Sequence, residues 1–156
     1  MKPHAGLDAS SWALLCHAPL TLWLAMSGVD PAVDSPDKEA DAFDTAIEKE
    51  KARCSDELVR AVLAEAVAPS GSQRRGLVAV DPESLLGELE RVRAVLDERC
   101  SAEHARAFKR ALVKIGYAIA QASCESVIPT HSGVSQPEER FLARTRRALG
   151  LLPPAL

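Results

Sequence analysis

The sequence predicts an all-α fold, one compact bundle of about six helices occupying residues 1–156 as a single domain. Three observations predict it. Apolar residues recur at three- and four-residue steps from end to end of the chain, alternating strand patterns are nearly absent, and the periodic segments are bounded by capping side chains, prolines or glycines. The composition agrees: 156 residues, 47% apolar and 26% charged, a length at which a domain buries roughly 68–70% of its unfolded surface and needs neither metal nor disulfide to hold a core.

The first helix is read from Trp12, with Leu15, Pro19, Leu22, Trp23 and Met26 on one face, interrupted near Pro19 and ended by Gly28, Asp30 and Pro31. Asp34-Ser35-Pro36-Asp37 starts the second, with Asp34 as cap, Pro36 in the first turn and Ala40, Phe43 and Ile47 facing inward. Ser55 is expected to cap a third helix that carries Leu58, Val62 and Ala66, with Val59, Leu63 and Val67 beside them, and stops at Pro69. The polar, turn-rich stretch 69–76 reads as a mobile surface loop, after which Leu77 to Val80 return to the core. Asp81-Pro82-Glu83 opens a fourth helix that buries Leu85, Leu86, Leu89, Val92 and Leu96. Ser101 caps a fifth, read as the central helix. Its inner side is Phe108, Leu112, Ile115, Ile119 and Ala122, and Ala107, Ala111 and Ala118 leave a thin side for close packing. Ser135-Gln136-Pro137-Glu138 is a capping-box pattern opening the sixth, which runs through Phe141, Leu142, Thr145 and Leu149 to Gly150.

Twenty-two acidic against 19 basic residues give a net charge of −3 and a pI near 5.8. No overall field draws the chain to nucleic acid or anionic lipid, so neither is expected as a partner. Arg144, Arg146 and Arg147 read as a solvated basic face. Cys16, Cys54, Cys100 and Cys124 form no C-x-x-C pair, which suits a reduced, cytoplasmic protein. The apolar run Trp12–Met26 ends in Ala25-Met26-Ser27, like a signal-peptide cleavage site. Against that stand Lys2 as the single basic residue before the run, Asp8 ahead of it, and His17 and Pro19 inside it. The run is also shorter than the ~20 residues of a membrane span, so a buried first helix is expected and no membrane insertion.

Two stretches align without a gap: Asp30-Pro31-Ala32-Val33-Asp34-Ser35-Pro36-Asp37 and His131-Ser132-Gly133-Val134-Ser135-Gln136-Pro137-Glu138. Each follows an apolar helix and leads into the next, and generic capping chemistry accounts for such a pattern as well as a repeat does. With the alternation of large and small apolar residues from Ala107 to Ala122, the arrangement resembles TerB-like domains, the family associated with bacterial tellurite resistance. Their two pseudo-repeated helix hairpins carry a D-G-x-[I/V]-x-x-x-E pattern. Pro31 stands where that pattern has glycine, Asp37 where it has glutamate, and His131 where the second copy has aspartate. The resemblance covers the first and last thirds of the chain.

That resemblance implies a stress-response module with a surface cation site, and it points to Asp30, Asp34 and Asp37. Carboxylates spaced by four and three residues around a helix start can converge, and an all-oxygen set suits Ca²⁺ or Mg²⁺. Capping and the helix dipole account for Asp34 and Asp37 equally well. The counterpart cluster in the second hairpin is His131, Ser135 and Glu138, whose mixed donors turn preference toward Zn²⁺ or Mn²⁺. A further mixed Zn²⁺ set, Cys100 and His104 with Cys124 and His131, lacks paired spacing. Gly71 to Gly76 has no lysine to complete a phosphate loop. No nucleophile motif is present and none of His4, His17, His104 and His131 has an evident carboxylate to orient it. The expected function is therefore a non-enzymatic TerB-like module that binds a divalent cation and a protein partner. The alternative is a metal-free helical adaptor packing through its apolar faces and the tail Leu151, Leu152 and Leu156. A third reading, an enzyme, would use His131 and Glu138 as an acid–base pair in one cleft.

Overall fold

The computed structural model describes residues 6–29, 36–70, 81–124 and 136–151, and among them the chain forms six helices and no strand. Helix α1 (Ala9–Val29) starts earlier than its apolar pattern, because Asp8 caps it. The Asp8 carboxylate accepts from the Ser11 N–H at 2.7 Å and the Ser10 hydroxyl at 3.2 Å, and the Asp8 carbonyl accepts from the Trp12 N–H. The Ser11 backbone bond is the chief cause holding the Asp8 carboxyl below its ordinary value. Its contribution is present above the ordinary aspartate pKa and is lost as pH falls through the lowered folded value.

The expected interruption at Pro19 does not occur: α1 runs straight through it in one piece. Proline offers no N–H to the Leu15 carbonyl and crowds it, but packing holds the helix together. All five other helices touch α1. Nearby carbonyls have partners from outside the regular ladder, Cys16 from the Val67 N–H at 3.1 Å and His17 from the Thr21 hydroxyl at 3.2 Å. Nor is burial confined to one face, since Ala18, Leu20, Thr21 and Ala25 are buried along with Leu15, Leu22, Trp23 and Met26. The stretch Ala9–Met26 is long and apolar enough to cross a membrane, yet 61% of it is buried within the bundle, as befits a helix that is apolar all round.

Helix α2 (Pro36–Arg53) buries Ala40, Phe43 and Ile47 as its periodicity predicts, together with Ala46 and Glu50. The cap of α3 (Glu57–Ala64) is Asp56, one residue beyond the expected Ser55. Asp56 is extended and its carboxylate accepts the Val59 N–H at 3.1 Å. The helix ends at Ala64, well short of Pro69. The Glu65 N–H turns back to the Val62 carbonyl at 3.0 Å and Val67 is drawn to α1, which leaves the Val67 side chain 39% exposed.

Asp81 caps α4 (Pro82–Arg99) through the Glu83 N–H, and Leu85, Leu86, Leu89, Val92 and Leu96 are buried as predicted. Ser101 caps α5 (Ala102–Cys124), its hydroxyl accepting the His104 N–H at 3.2 Å. Like α1, α5 touches every other helix, so the centre of the bundle is this pair and not α5 alone. Of the alanines expected to thin one side of α5, Ala111 is buried, while Ala107 and Ala118 are half-buried. At Gly116, Leu22 and Leu142 leave no room for a side chain against the backbone. Helix α6 (Gln136–Ala148) buries Phe141, Leu142 and Thr145. It closes on Gly150 at φ +79°, with Leu151 N–H to Arg146 carbonyl at 2.9 Å and Gly150 N–H to Arg147 carbonyl at 3.0 Å. This double bond pattern needs a left-handed residue, and glycine adopts it without strain. Of the expected loop at 69–76, Pro69 is buried and Ser70 exposed, and the remainder, with Leu77–Val80, lies outside the described residues.

Candidate functional site

Asp30, Asp34, His131 and Ser135 lie outside the described residues, and Asp37 belongs to the first turn of α2 with its side chain outside them as well. Glu138 is described. It sits in the first turn of α6 and is fully buried, where a surface corner was expected. The positive end of the helix dipole favours a carboxylate there. Among the described residues no three His, Cys, Asp or Glu side chains gather as a metal site.

His104, expected to lack a carboxylate to orient it, has one in Asp56. Its Nδ1 lies 2.8 Å from the Asp56 Oδ2, in a half-buried contact that joins the start of α5 to the start of α3. Asp56 thus caps α3 with one oxygen and holds His104 with the other. Cys100 is close enough to feel the Asp56 charge. Burial first, and that charge second, raise the Cys100 thiol above its ordinary value. A thiol shifted upward is a poor nucleophile, so the Asp56, His104 and Cys100 neighbourhood lacks an activated cysteine. Only packing brings Asp56 to His104, because the two are far apart in sequence.

Cys16 is affected more strongly. Burial, with the Glu65 charge second, pushes its thiol up to about 11 from an ordinary 9.0. Stability associated with this neutral thiol is full below the unfolded value and declines as pH rises toward the folded one. On iodoacetamide treatment of the native chain at about pH 8, Cys16 is expected to label slowest of the described cysteines and to label promptly once the chain is unfolded in urea. Peptide mass mapping reads the result. Equal native labelling of Cys16 and Cys54 would contradict the burial.

Several surface grooves carry charge, and arginines of α6 line three of them. Between α4 and α6, a groove of about 650 Å³ sets Glu83, Glu90 and Asp97 against Arg93, Arg144 and Arg147. It is largely self-neutralised: Arg144 reaches both Glu83 oxygens at 2.5 and 2.6 Å, and Arg93 lies 3.5 Å from Asp97. The arginines of α6 therefore do not form one solvated face. Arg146 points elsewhere, stacks over Tyr117 at 5.9 Å, and keeps its Nε buried without a hydrogen-bond partner. It lines two adjoining grooves, each of about 530 Å³, whose other cations are Arg106, Arg110 and Lys114 on α5 and Lys49 and Arg53 on α2. The one carboxylate in either lining, Glu50, is buried. The sequence shows the Arg106, Arg110, Lys114 spacing, but only packing adds the other three. Comparison of the chain with family models, with curated proteins and with solved structures gives no match.

Proposed function

We propose that the chain is a non-enzymatic, TerB-like helical module that docks a protein partner in a bacterial stress-response complex, with Ca²⁺ or Mg²⁺ held at the corner of Asp30, Asp34 and Asp37. The observation that supports this reading is reciprocal packing. The hairpins α1–α2 and α5–α6 each follow an apolar helix with a helix start bearing proline in its first turn, and the leading helix of each touches both helices of the other. Two related halves packed in this way would set the two loop clusters at corresponding positions. The cytoplasmic setting belongs to the same proposal.

The test is calorimetric titration of the chelator-treated chain with Ca²⁺, Mg²⁺, Mn²⁺ and Zn²⁺, beside a variant carrying Asp30→Asn, Asp34→Asn and Asp37→Asn. Saturable binding of a hard cation, lost in a variant that still melts cooperatively, is the expected result. Absence of heat beyond dilution for every ion would leave capping as the account of these aspartates. The second reading, a metal-free helical adaptor, would then stand. Glu138 favours that second reading, because a carboxylate buried at the start of α6 fits the helix dipole without a cation.

A further inference from the structure

We infer that the basic groove formed by α2, α5 and α6 is the docking site for an acidic, partly apolar segment of a partner protein. The inference rests on the protein-docking half of the proposed function and gives the partner its chemistry. In a chain of net charge −3, six cations converge on one surface: Arg106, Arg110, Lys114, Arg146, Lys49 and Arg53. Among the described residues none of the six forms an ion pair. The contrast with the groove between α4 and α6, where arginines face carboxylates at bonding distance, is internal to the same molecule. Crowding like charges without counter-charges is unfavourable unless something anionic arrives.

The shape and lining select among anions. Arg106, Arg110 and Lys114 are one helical turn apart, which spaces them by roughly 6 Å along α5. That interval matches carboxylates one turn apart on a facing helix. Val113 and the half-buried Leu151 supply apolar floor between the cations, which an acidic amphipathic segment would cover and a phosphate chain would not. A nucleic-acid strand is a poorer fit, since single strands are held by stacking bases on aromatic rings. The one aromatic ring in the two linings, Tyr117, already carries Arg146 over its face.

The probe is a fluorescein-labelled peptide of glutamate and leucine at helical spacing, followed by fluorescence polarisation at low salt. Its counterpart of lysine and leucine and a labelled oligothymidylate are run alongside. Wild-type chain is expected to bind the acidic peptide saturably and more tightly than either control, with affinity falling as salt screens the exposed cations. Arg110→Glu with Lys114→Glu, both at exposed positions, is expected to weaken binding about tenfold or more, whereas an equal charge change at Arg60 and Arg91 costs less than about threefold. If the reversed pair fails to melt cooperatively, Arg110→Gln with Lys114→Gln replaces it and the same ordering is expected. Equal loss in both pairs would overturn the site while leaving acidic-partner docking elsewhere on the chain. Binding of the lysine peptide alone would overturn the acidic partner but keep protein docking. Tighter binding of the oligothymidylate would overturn the inference in favour of a nucleic-acid strand.

Discussion

Trp23→Ala is expected to lower the free energy of unfolding by roughly 3–5 kcal/mol, a large share of the ~5–15 kcal/mol that a domain of this size possesses. Trp23 is 1% exposed and belongs to the helix that every other helix touches, so the cavity left by the indole has no route to solvent and little freedom to collapse. For a chain of this length each kcal/mol moves the melting temperature by roughly 2–4 °C. The companion variant makes the prediction sharper. The Trp23 Nε1 is buried without a hydrogen-bond partner, and an unmet donor in that position costs about 1–3 kcal/mol already within the native state. Trp23→Phe removes that donor and keeps most of the ring, so it is expected to cost under about 1.5 kcal/mol. Urea unfolding with an unchanged slope measures both. A phenylalanine variant as damaged as the alanine one would mean that the indole N–H makes a bond of its own, and the packing account would fail.

What the sequence discloses about this fold is local chemistry. Ser101 caps the helix it was expected to cap, α4 opens at Asp81-Pro82-Glu83, α6 closes on Gly150, and the buried faces of α2 and α4 follow their periodicity. Each of these depends on residues within one or two turns of each other. Two departures are local, the caps of α1 and α3 falling on Asp8 and Asp56, and the others involve partners distant in sequence. Helix α3 ends early where the Val67 N–H finds the Cys16 carbonyl, and His104 finds Asp56 across the bundle. Pro19 is buried in α1, a helix against which all five others pack, a circumstance no reading of neighbouring residues reveals. The all-round apolarity of α1 is ambiguous in principle, since a buried core helix and a membrane helix use the same side chains. The basic groove is legible for the half that lies on one helix and hidden for the half that tertiary packing adds. Of the residues the sequence offered as cation ligands, Glu138 alone has a described side chain, and its burial follows from the inward face of α6, where it lies one turn before Phe141 and Leu142.

The same substitution, glycine to alanine inside a helix, is expected to have opposite signs at two positions. At Gly87 in α4 a Cβ would meet nothing within 4 Å, and the residue is exposed. Only the backbone term operates there, so Gly87→Ala is expected to stabilise by about 0.5–1 kcal/mol. At Gly116 in α5 the new carbon would lie 2.7 Å from the Leu142 Cδ2 of α6 and 3.1 Å from the Leu22 Cδ2 of α1. Both leucines are fully buried, so neither can swing into solvent to make room. The gain in helix propensity, about 0.8–1 kcal/mol, is then set against an overpacking cost of about 1–3 kcal/mol. Gly116→Ala is expected to destabilise by roughly 1 kcal/mol or more, and Gly116→Val, which adds branched volume and loses propensity, by roughly 3 kcal/mol. Denaturant midpoints for the three variants decide it. Stabilisation by Gly116→Ala equal to that of Gly87→Ala would mean that α1 and α6 do not clasp α5 at this point. The close contact between α5 and its neighbours α1 and α6 would then have to lie elsewhere along α5.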